Sequence, residues 1–392
     1  MARHGAFVHQ PIIEPFVVDV PAGVLTDLRS RLHATRWPDQ LPGSGWDYGT
    51  DLAYLQELCE FWADAFDWRA AERRLNRWPQ FVTDIDGQRI HFIHARAERP
   101  GAVPLLVLHG WPGSVAEMLP IIEPLRDPAS TGEDGPAFDV VCVSLPGFGF
   151  SGPTQRTGWH VQRIAAAMVE LMARLGYPRF GALGGDWGAT TCNYLGLEFA
   201  ERLHGMYLTM AAAAPPDGSD GSELDDRERA WLADSAEFFV RDAGYMQIQG
   251  TRPQTLAYAM NDSPAGLAGW IVEKFRAWSD CDGDLESAIG RDDLLTNITV
   301  YWVTQTANSS FRIYLEAMRA GQFQPIPTRI DVPTGCAIFP KEVVKSPRSW
   351  AARAWDLRHW TEMPKGGHFP ALEVPELLVP DVRRFFRDLR LG

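Results

Sequence analysis

The residues best suited to chemistry lie in one short stretch, Gly184–Gly188, which reads Gly-Gly-Asp-Trp-Gly. An apolar run precedes this stretch, and a helix-like run follows it from about Ala189. A strand, a sharp turn and a helix form a nucleophile elbow, whose tightness requires small residues two positions before and after the exposed side chain. That side chain is Asp186, and a carboxylate there can attack carbon and form an ester. The alternative is an aspartate that caps a helix, and this stretch alone does not separate the two.

A second stretch, His109–Ser114, reads His-Gly-Trp-Pro-Gly-Ser and directly follows a predicted central strand. The backbone N–H groups of Trp111 and of Trp187, the residue after the nucleophile, could together form an oxyanion hole. Glycine and proline also mark ordinary strand ends. A turn without a catalytic role therefore remains the alternative for this motif.

A candidate base, His368, lies in Lys365–Phe369, just before the last predicted helix. A lone histidine in a loop is usually structural, but the chain order nucleophile, acid, histidine places the base here. That order requires a carboxylate between the helical insertion and His368, and Glu342 fits because it follows a predicted strand. Three other carboxylates fit less well: Asp331, Asp356 and Glu362. Asp331 precedes that strand instead of following it.

The elements around these residues predict an α/β protein with a doubly wound, mostly parallel sheet, because buried apolar strands alternate with helices. The predicted divisions are an α-rich N-terminal extension (1–85), a first core part (86–215), an inserted helical lid (216–327) and a second core part (328–392). A short strand is expected at Phe16–Val20. Length favours a helix for the ambiguous apolar run Leu294–Val303.

The motifs around Asp186, Trp111 and His368 resemble those of microsomal-type epoxide hydrolases. The resemblance extends to the N-terminal residues 16–39 and 78–94, and to lid residues 244–249, 261–268 and 293–297. It covers most of the chain, with several specific blocks in the right order. It implies the α/β-hydrolase fold and an enzyme that converts an epoxide to a vicinal diol.

The resemblance also implies a role for individual residues. Asp186 matches the family's nucleophile, His368 its base and Glu342 its acid. Tyr245 and Tyr314 match the two tyrosines that donate to the epoxide oxygen. Without the resemblance, Tyr314 would be interpreted as a residue that packs on a helix face. The implied reaction needs neither a metal nor an organic cofactor.

Two other functions compete with this interpretation. A haloalkane dehalogenase also uses an aspartate on this elbow, often with a neighbouring tryptophan, and Asp186 with Trp187 does not exclude it. The lid tyrosines and the long N-terminal extension favour an epoxide, because a departing halide needs no proton donor. A non-catalytic binding protein on the same fold is disfavoured by the complete set of nucleophile, base, acid and tyrosines.

The amino-acid composition limits which partners the protein could bind and in which cell compartment it is expected. The formal net charge of −13 over 392 residues argues against nucleic acid and anionic membranes as partners. The five cysteines include no CxxC pair, and Cys281, beside two aspartates, is expected to be exposed. Free thiols and the lack of a targeting or membrane-spanning segment predict a soluble cytoplasmic protein without a membrane anchor, which could form a homodimer.

The substrate is expected to be a small apolar or aromatic epoxide, because the lid is rich in aromatic residues. Those residues could equally form the core of the lid, which is their commoner location. The lid aromatics are Trp231, Phe238, Phe239, Trp270, Phe275 and Trp302.

Overall fold

The computed structural model describes residues 12–219 and 221–389, and within them one nine-stranded sheet organises the chain. The strands are Ile13–Phe16 (β1), Gln80–Ile85 (β2), Gln88–Ala95 (β3), Val103–Leu108 (β4), Phe138–Val143 (β5), Phe180–Gly184 (β6), Leu203–Leu208 (β7), Ile330–Ile338 (β8) and Trp355–Glu362 (β9). They lie in the order β1-β2-β3-β5-β4-β6-β7-β8-β9.

The sheet is parallel from β5 to β9 and antiparallel from β1 to β3 and between β3 and β5. Strand β4 lies between β5 and β6, so the winding direction reverses there. In open α/β sheets, ligands bind beyond the carboxyl ends of the strands at such a reversal. The stretch that begins with His109 follows β4 and Asp186 follows β6, so the fold brings both sequence motifs to one edge of the sheet. The predicted α/β-hydrolase architecture is confirmed.

Helices cover both faces of the sheet. Those before the long helical insertion are Ala22–His33 (α1), Leu52–Asp64 (α2), Trp68–Leu75 (α3), Leu119–Arg126 (α4), Val161–Arg174 (α5) and Asp186–Glu198 (α6). The insertion between β7 and β8 contains Asp226–Arg241 (α7), Gly244–Thr251 (α8), Pro253–Asp262 (α9), Pro264–Trp278 (α10), Leu285–Ala288 (α11), Arg291–Thr304 (α12) and Ala307–Arg319 (α13). The remaining helices are Arg348–Ala354 (α14), Pro370–Glu373 (α15) and Pro375–Asp388 (α16).

The inserted helices form a lid that is bonded directly to the loop after β4. The side-chain amide of Asn297 donates to the carbonyl of Pro112 at 2.8 Å, and the hydroxyl of Tyr301 donates to that of Gly113 at 2.6 Å. Both donors lie on α12, and the prediction of a helix for this stretch is confirmed. Because these bonds are buried, α12 fixes the loop that carries Trp111.

The N-terminal extension packs on the lid as well as on the sheet. The indole N–H of Trp62 on α2 donates to Thr299 on α12 at 2.9 Å, and the hydroxyl of Thr50 donates to the carbonyl of Gly269 on α10 at 2.6 Å. Helix α2 begins where the carboxylate of Asp51 accepts from the Tyr54 N–H, a normal N-cap. The extension thereby stabilises the lid from outside the sheet. The proposed division of the chain into four parts stays a prediction.

The predicted position of the first strand is wrong, and one strand is absent from the sequence prediction. The predicted strand at Phe16–Val20 is displaced to β1, because the N–H groups of Val18 and Val20 bond instead to the side chains of Asn76 and Glu72 around α3. Strand β2, which pairs with both β1 and β3, was not anticipated.

Cys281 was expected to be exposed, but all five cysteines are buried. Its thiol donates to the carbonyl of Arg276 at 3.4 Å, because the chain after α10 turns back beneath the loop of His368. No helix in residues 12–219 and 221–389 combines the length and apolarity needed to cross a membrane. The cytoplasmic location stays a prediction.

Candidate active site

Asp186 lies on a turn whose geometry admits only glycine at two positions. A Cβ on Gly184 would lie 2.4 Å from the carbonyl carbon of Gly188, and one on Gly188 would lie 2.2 Å from the carbonyl oxygen of Leu108. Asp186 itself has a φ of +49°, in the left-handed region, which costs a non-glycine residue about 1–2 kcal/mol. Strain of this kind is concentrated at functional sites, and here it holds the carboxylate away from the helix that begins at Asp186.

The Asp186 carboxylate contacts two groups from other parts of the chain. Its Oδ1 accepts from the backbone N–H of Trp111 at 2.9 Å, and its Oδ2 lies 3.6 Å from Nε2 of His368. Gly110 makes this approach possible, since a Cβ there would lie 2.2 Å from Oδ1. Trp187 N lies in the first turn of α6, where helices leave N–H groups free. It makes no bond to the carboxylate within the described residues.

His368 is held between two carboxylates. Its Nδ1 lies 2.8 Å from Oε1 of Glu342, which also accepts from the N–H groups of Val343 and Val344 at 2.7 and 3.3 Å. The backbone N–H of His368 donates to the carbonyl of Trp278 at 2.9 Å. Burial by itself lowers the pKa of His368, but the carboxylates of Glu342 and Asp186 outweigh it and raise that pKa well above its ordinary value.

The structure separates Glu342 from the other carboxylates considered as the acid. Asp331 forms an ion pair with Arg329, Asp356 forms one with Arg358, and Glu362 forms one with Arg227. Each of those three carboxylates is therefore paired with an arginine. Glu342 alone among the four contacts His368.

The two tyrosines come from different lid helices and meet at the indole of Trp111. Tyr245 on α8 stacks on this indole with centroids 4.9 Å apart and planes 16° apart, and Tyr314 on α13 meets it edge-on at 6.0 Å. The rings of the two tyrosines lie 5.8 Å apart. Burial raises the pKa of both hydroxyls well above the ordinary value near ~10. Both hydroxyls are therefore protonated at neutral pH, above the same turn that carries the Trp111 N–H.

Comparison with known proteins identifies the family. The chain matches the family described as epoxide hydrolase N terminus over residues 13–118 and that described as alpha/beta hydrolase fold over residues 103–244. A protein of Stigmatella aurantiaca (strain DW4/3-1), whose name assigns it to the epoxide hydrolases, is 45% identical over 96% of this chain and 86% of its own. Epoxide hydrolase 1 of Oryctolagus cuniculus is 37% identical, with 95% and 88% covered. The crystal structure of juvenile hormone epoxide hydrolase from the silkworm Bombyx mori superposes with a TM-score of 0.90, 29% identity and coverages of 97% and 95%.

The chain belongs to the epoxide hydrolase family. It is an enzyme, and its reaction class is hydrolysis of an epoxide. The site residues expected from the sequence lie at one end of the sheet, with the lid tyrosines above Asp186 and the pair of His368 and Glu342 beside it.

Several buried donors in this epoxide hydrolase face the site without a protein partner. Within the described residues, the indole N–H groups of Trp111, Trp187 and Trp278 and the hydroxyl of Tyr314 make no hydrogen bond of normal geometry. Buried polar groups in native proteins are nearly always paired. The rings that carry these donors contact one another: Trp111 contacts both Trp278 and Tyr314, and Trp187 contacts Tyr314.

The aromatic residues nearest the site are not those expected from the sequence. Trp278, Phe311 and Phe323 contact the rings of Trp111, Tyr245 or Tyr314. Within the described residues, none of the six lid aromatics named earlier makes a ring contact with Trp111, Tyr245 or Tyr314, although Phe238 contacts Trp278 at 6.0 Å. Phe275, for example, stacks on Phe369 at 4.2 Å, and Phe239 is half exposed at 52%.

One ionisable residue near the site was not singled out from the sequence. Glu117 is buried in a 3-10 turn, Val115–Met118, just after the loop of Trp111. The available signal was a lone glutamate between apolar neighbours, since such residues are rarely buried without a reason.

Proposed function

We propose that the enzyme opens an epoxide through an ester on Asp186, which water activated by His368 then hydrolyses to a diol. The observation that carries the proposal is the set of contacts of one carboxylate: the Trp111 N–H on Oδ1 and His368 beside Oδ2. A carboxylate on a strained elbow, next to a histidine that a second carboxylate orients, is the arrangement that covalent catalysis requires.

Ring opening needs a hydrogen-bond donor as well as a nucleophile, because the leaving group is an alkoxide. In the proposal Asp186 attacks one ring carbon while Tyr245 and Tyr314 donate to the ring oxygen from the opposite side. The buried hydroxyl of Tyr314, which lies close to Tyr245 without a hydrogen bond of normal geometry in the described residues, supports this role, as such a group is desolvated before the substrate binds. The bond between that carbon and the ring oxygen breaks, and the oxygen stays on the neighbouring carbon as a hydroxyl whose proton comes from the tyrosine pair.

Formation of the ester changes the charge around His368 at the moment when a base is needed. Before the reaction two carboxylates favour the imidazolium, and the pKa of His368 is well above its ordinary value. Esterification neutralises Asp186 and removes one of these interactions, so the pKa of His368 falls. In the proposal His368 releases its proton to water and the tyrosine pair takes one back from water, so the proton given to the alkoxide is replaced.

Hydrolysis then restores the enzyme. Neutral His368, oriented by Glu342, removes a proton from water, and the oxygen of that water attacks the carbonyl carbon of the ester. The Trp111 N–H, which already contacts Oδ1, and the free N–H of Trp187 would hold the oxyanion. The intermediate collapses with proton return from His368, and the diol leaves.

We further propose that the substrate is an apolar or aromatic epoxide. Four aromatic residues in ring contact around the site support this: Trp111, Trp278, Phe311 and Phe323. The lid aromatics named from the sequence do not supply this support. Among the relatives, the Bombyx mori enzyme is named for juvenile hormone. Steady-state rates on styrene-type, aliphatic and terpenoid epoxides would rank these classes.

Dehalogenation is the second candidate because the buried indole N–H of Trp187 next to the nucleophile has no partner and could stabilise a halide. The tyrosines favour the epoxide, since halide departure requires no proton. Release of chloride or bromide from simple haloalkanes at rates comparable with epoxide turnover would reverse this assignment.

Trapping of the ester tests the proposal. In the variant His368→Gln the ester should form and persist, so the peptide that contains Asp186 should gain the mass of the epoxide after incubation with an aryl epoxide, denaturation and digestion. The matched control is the double variant with Asp186→Asn, which should gain nothing. Full turnover by the single variant without any adduct would contradict the proposal.

A further inference from the structure

Two carboxyl groups pack closely against the loop after β4, each at a glycine, and the two glycines are three residues apart. A Cβ on Gly110 would lie 2.2 Å from Oδ1 of Asp186, and a Cβ on Gly113 would lie 1.8 Å from Oε2 of Glu117. Any other residue at either position would displace the carboxyl group that lies there. The loop is therefore shaped to admit Glu117 as closely as it admits the nucleophile.

A small cavity joins Glu117 to the reacting residues. Its volume is about 20 Å³, and its polar walls are Glu117, Asp186, His368 and Thr209. About one water molecule fits a cavity of this size, provided that it finds two or more polar partners. The cavity lies beside the carboxylate that would become the ester and beside the histidine that would activate water.

The Glu117 carboxyl group is well suited to bind that water. Within the described part of the chain no hydrogen bond to this carboxyl group is formed, although the residue is only 6% exposed. Burial raises the pKa of Glu117 to about 8, with the charges of Asp186 and Glu373 acting in the same direction and that of His368 opposing them. The other titratable groups that face it are Cys142 on β5 and Tyr301 on α12.

In its neutral form Glu117 offers a carbonyl oxygen and one O–H. A water that donates one proton to Nε2 of His368 can donate its other proton to the carbonyl of Glu117. The lone pairs of such a water stay free to attack the ester carbon. A charged Glu117 would instead add a third carboxylate around His368 and hold the imidazolium, which cannot act as a base.

We propose that Glu117 is a positioning residue that holds the hydrolytic water between its carboxyl group and Nε2 of His368. The proposal rests on the ester mechanism proposed above. It assigns Glu117 to the second half-reaction only, because Glu117 has no contact with the tyrosines that serve ring opening.

Separate measurement of the two half-reactions tests this role. The variants are Glu117→Ala, which removes both hydrogen-bonding atoms, and Glu117→Gln, which keeps a carbonyl and an N–H in the same shape. Ester formation is measured with enzyme in excess over an aryl epoxide, by acid quench and mass determination of the Asp186 peptide. Ester hydrolysis is measured as the decay of that adduct. The matched control is Glu123→Gln on α4, a glutamate that pairs with Arg126 and does not border the cavity.

The expected result for Glu117→Ala is ester formation within about 3-fold of the wild type and ester hydrolysis slowed by about 10- to 100-fold, since misplacing a reactant by about 1 Å costs about that much. Glu117→Gln should recover hydrolysis to within about 5-fold, and Glu123→Gln should behave as the wild type. Equal slowing of both steps, or hydrolysis unchanged in Glu117→Ala, would overturn the proposal. If Glu117→Ala does not fold, hydrolysis in Glu117→Gln as slow as in a His368 variant would overturn it. Absence of any ester in the wild type would instead defeat the ester mechanism itself.

Discussion

Removal of the two lid hydroxyls tests the ring-opening step. The changes Tyr245→Phe and Tyr314→Phe delete the donors and keep the rings, so the stack of residue 245 on Trp111 at 4.9 Å and the edge contact of residue 314 with Trp187 at 4.8 Å remain. The hydroxyl of Tyr314 interacts with the hydroxyl of Tyr245 and the indole of Trp187 but makes no hydrogen bond of normal geometry within the described residues, so its loss breaks no well-formed bond. The fold should therefore tolerate both substitutions, and any effect on the rate reports on the chemistry.

The expected magnitude follows from the burial of both donors. One preorganised donor aimed at a developing oxyanion contributes about 2.7–4 kcal/mol, or about 10²- to 10³-fold in rate. Each single variant keeps the other tyrosine, so we expect its ester formation to slow by about 10²-fold. The double variant leaves the alkoxide in a desolvated site without a hydroxyl donor, and we expect a loss of about 10⁴-fold or more.

The assay is rapid mixing of excess enzyme with an aryl epoxide, followed by intrinsic fluorescence, since Trp111 and Trp187 flank the reacting carboxylate. The control is Tyr258→Phe on α9, a lid tyrosine that is 73% exposed, and its rate should match that of the wild type. A double variant with an unchanged rate of ester formation would refute the assignment of the donors.

Two further predictions concern the carboxyl groups beside the nucleophile. Glu342→Gln removes the charge that raises the pKa of His368. We expect ester hydrolysis to slow by about 10²-fold and the acid limb of its pH profile to move to lower pH, because a less basic histidine stays neutral at lower pH. An acid limb that does not move in the pH profile of adduct decay would contradict this. Glu117→Gln should become more stable than the wild type as the pH rises. The pKa of Glu117 is raised from 4.5 in the unfolded chain to about 8 in the folded protein, so between these pH values only the folded protein binds a proton at this residue. The wild type therefore loses about 1.4 kcal/mol of unfolding free energy per pH unit in this range. Urea unfolding at pH 5 and pH 8 measures the gap between variant and wild type, and a gap that does not widen with pH would show that Glu117 is charged.

The parts of the fold that depend on local pattern could be predicted from the sequence. The apolar runs at β4, β5 and β6 are buried on both faces of the sheet, so they give an unambiguous signal. The turn at Asp186 could be predicted because no residue larger than glycine fits at Gly184 or Gly188, so the fold requires this sequence pattern.

Features that depend on distant contacts were not predictable in the same way. The displacement of β1 follows from Asn76 and Glu72, whose side chains accept hydrogen bonds from this segment although they lie more than fifty residues further along the chain. Cys281 is covered by a chain reversal, and its aspartate neighbours gave the opposite indication. For Glu117 the sequence offers only the weak signal of a lone glutamate between apolar neighbours, because it is the fold that brings the end of the loop after β4 beside Asp186. The tyrosines were found through family resemblance rather than through any local pattern.

The most direct test of the ester mechanism is the origin of the new oxygen in the diol. In a single turnover in heavy-oxygen water, with enzyme in excess over epoxide, the mechanism predicts an unlabelled diol and one labelled oxygen in the carboxylate of Asp186. Label in the diol formed in that first turnover would show that water attacks the epoxide directly, and would contradict the central role of Asp186.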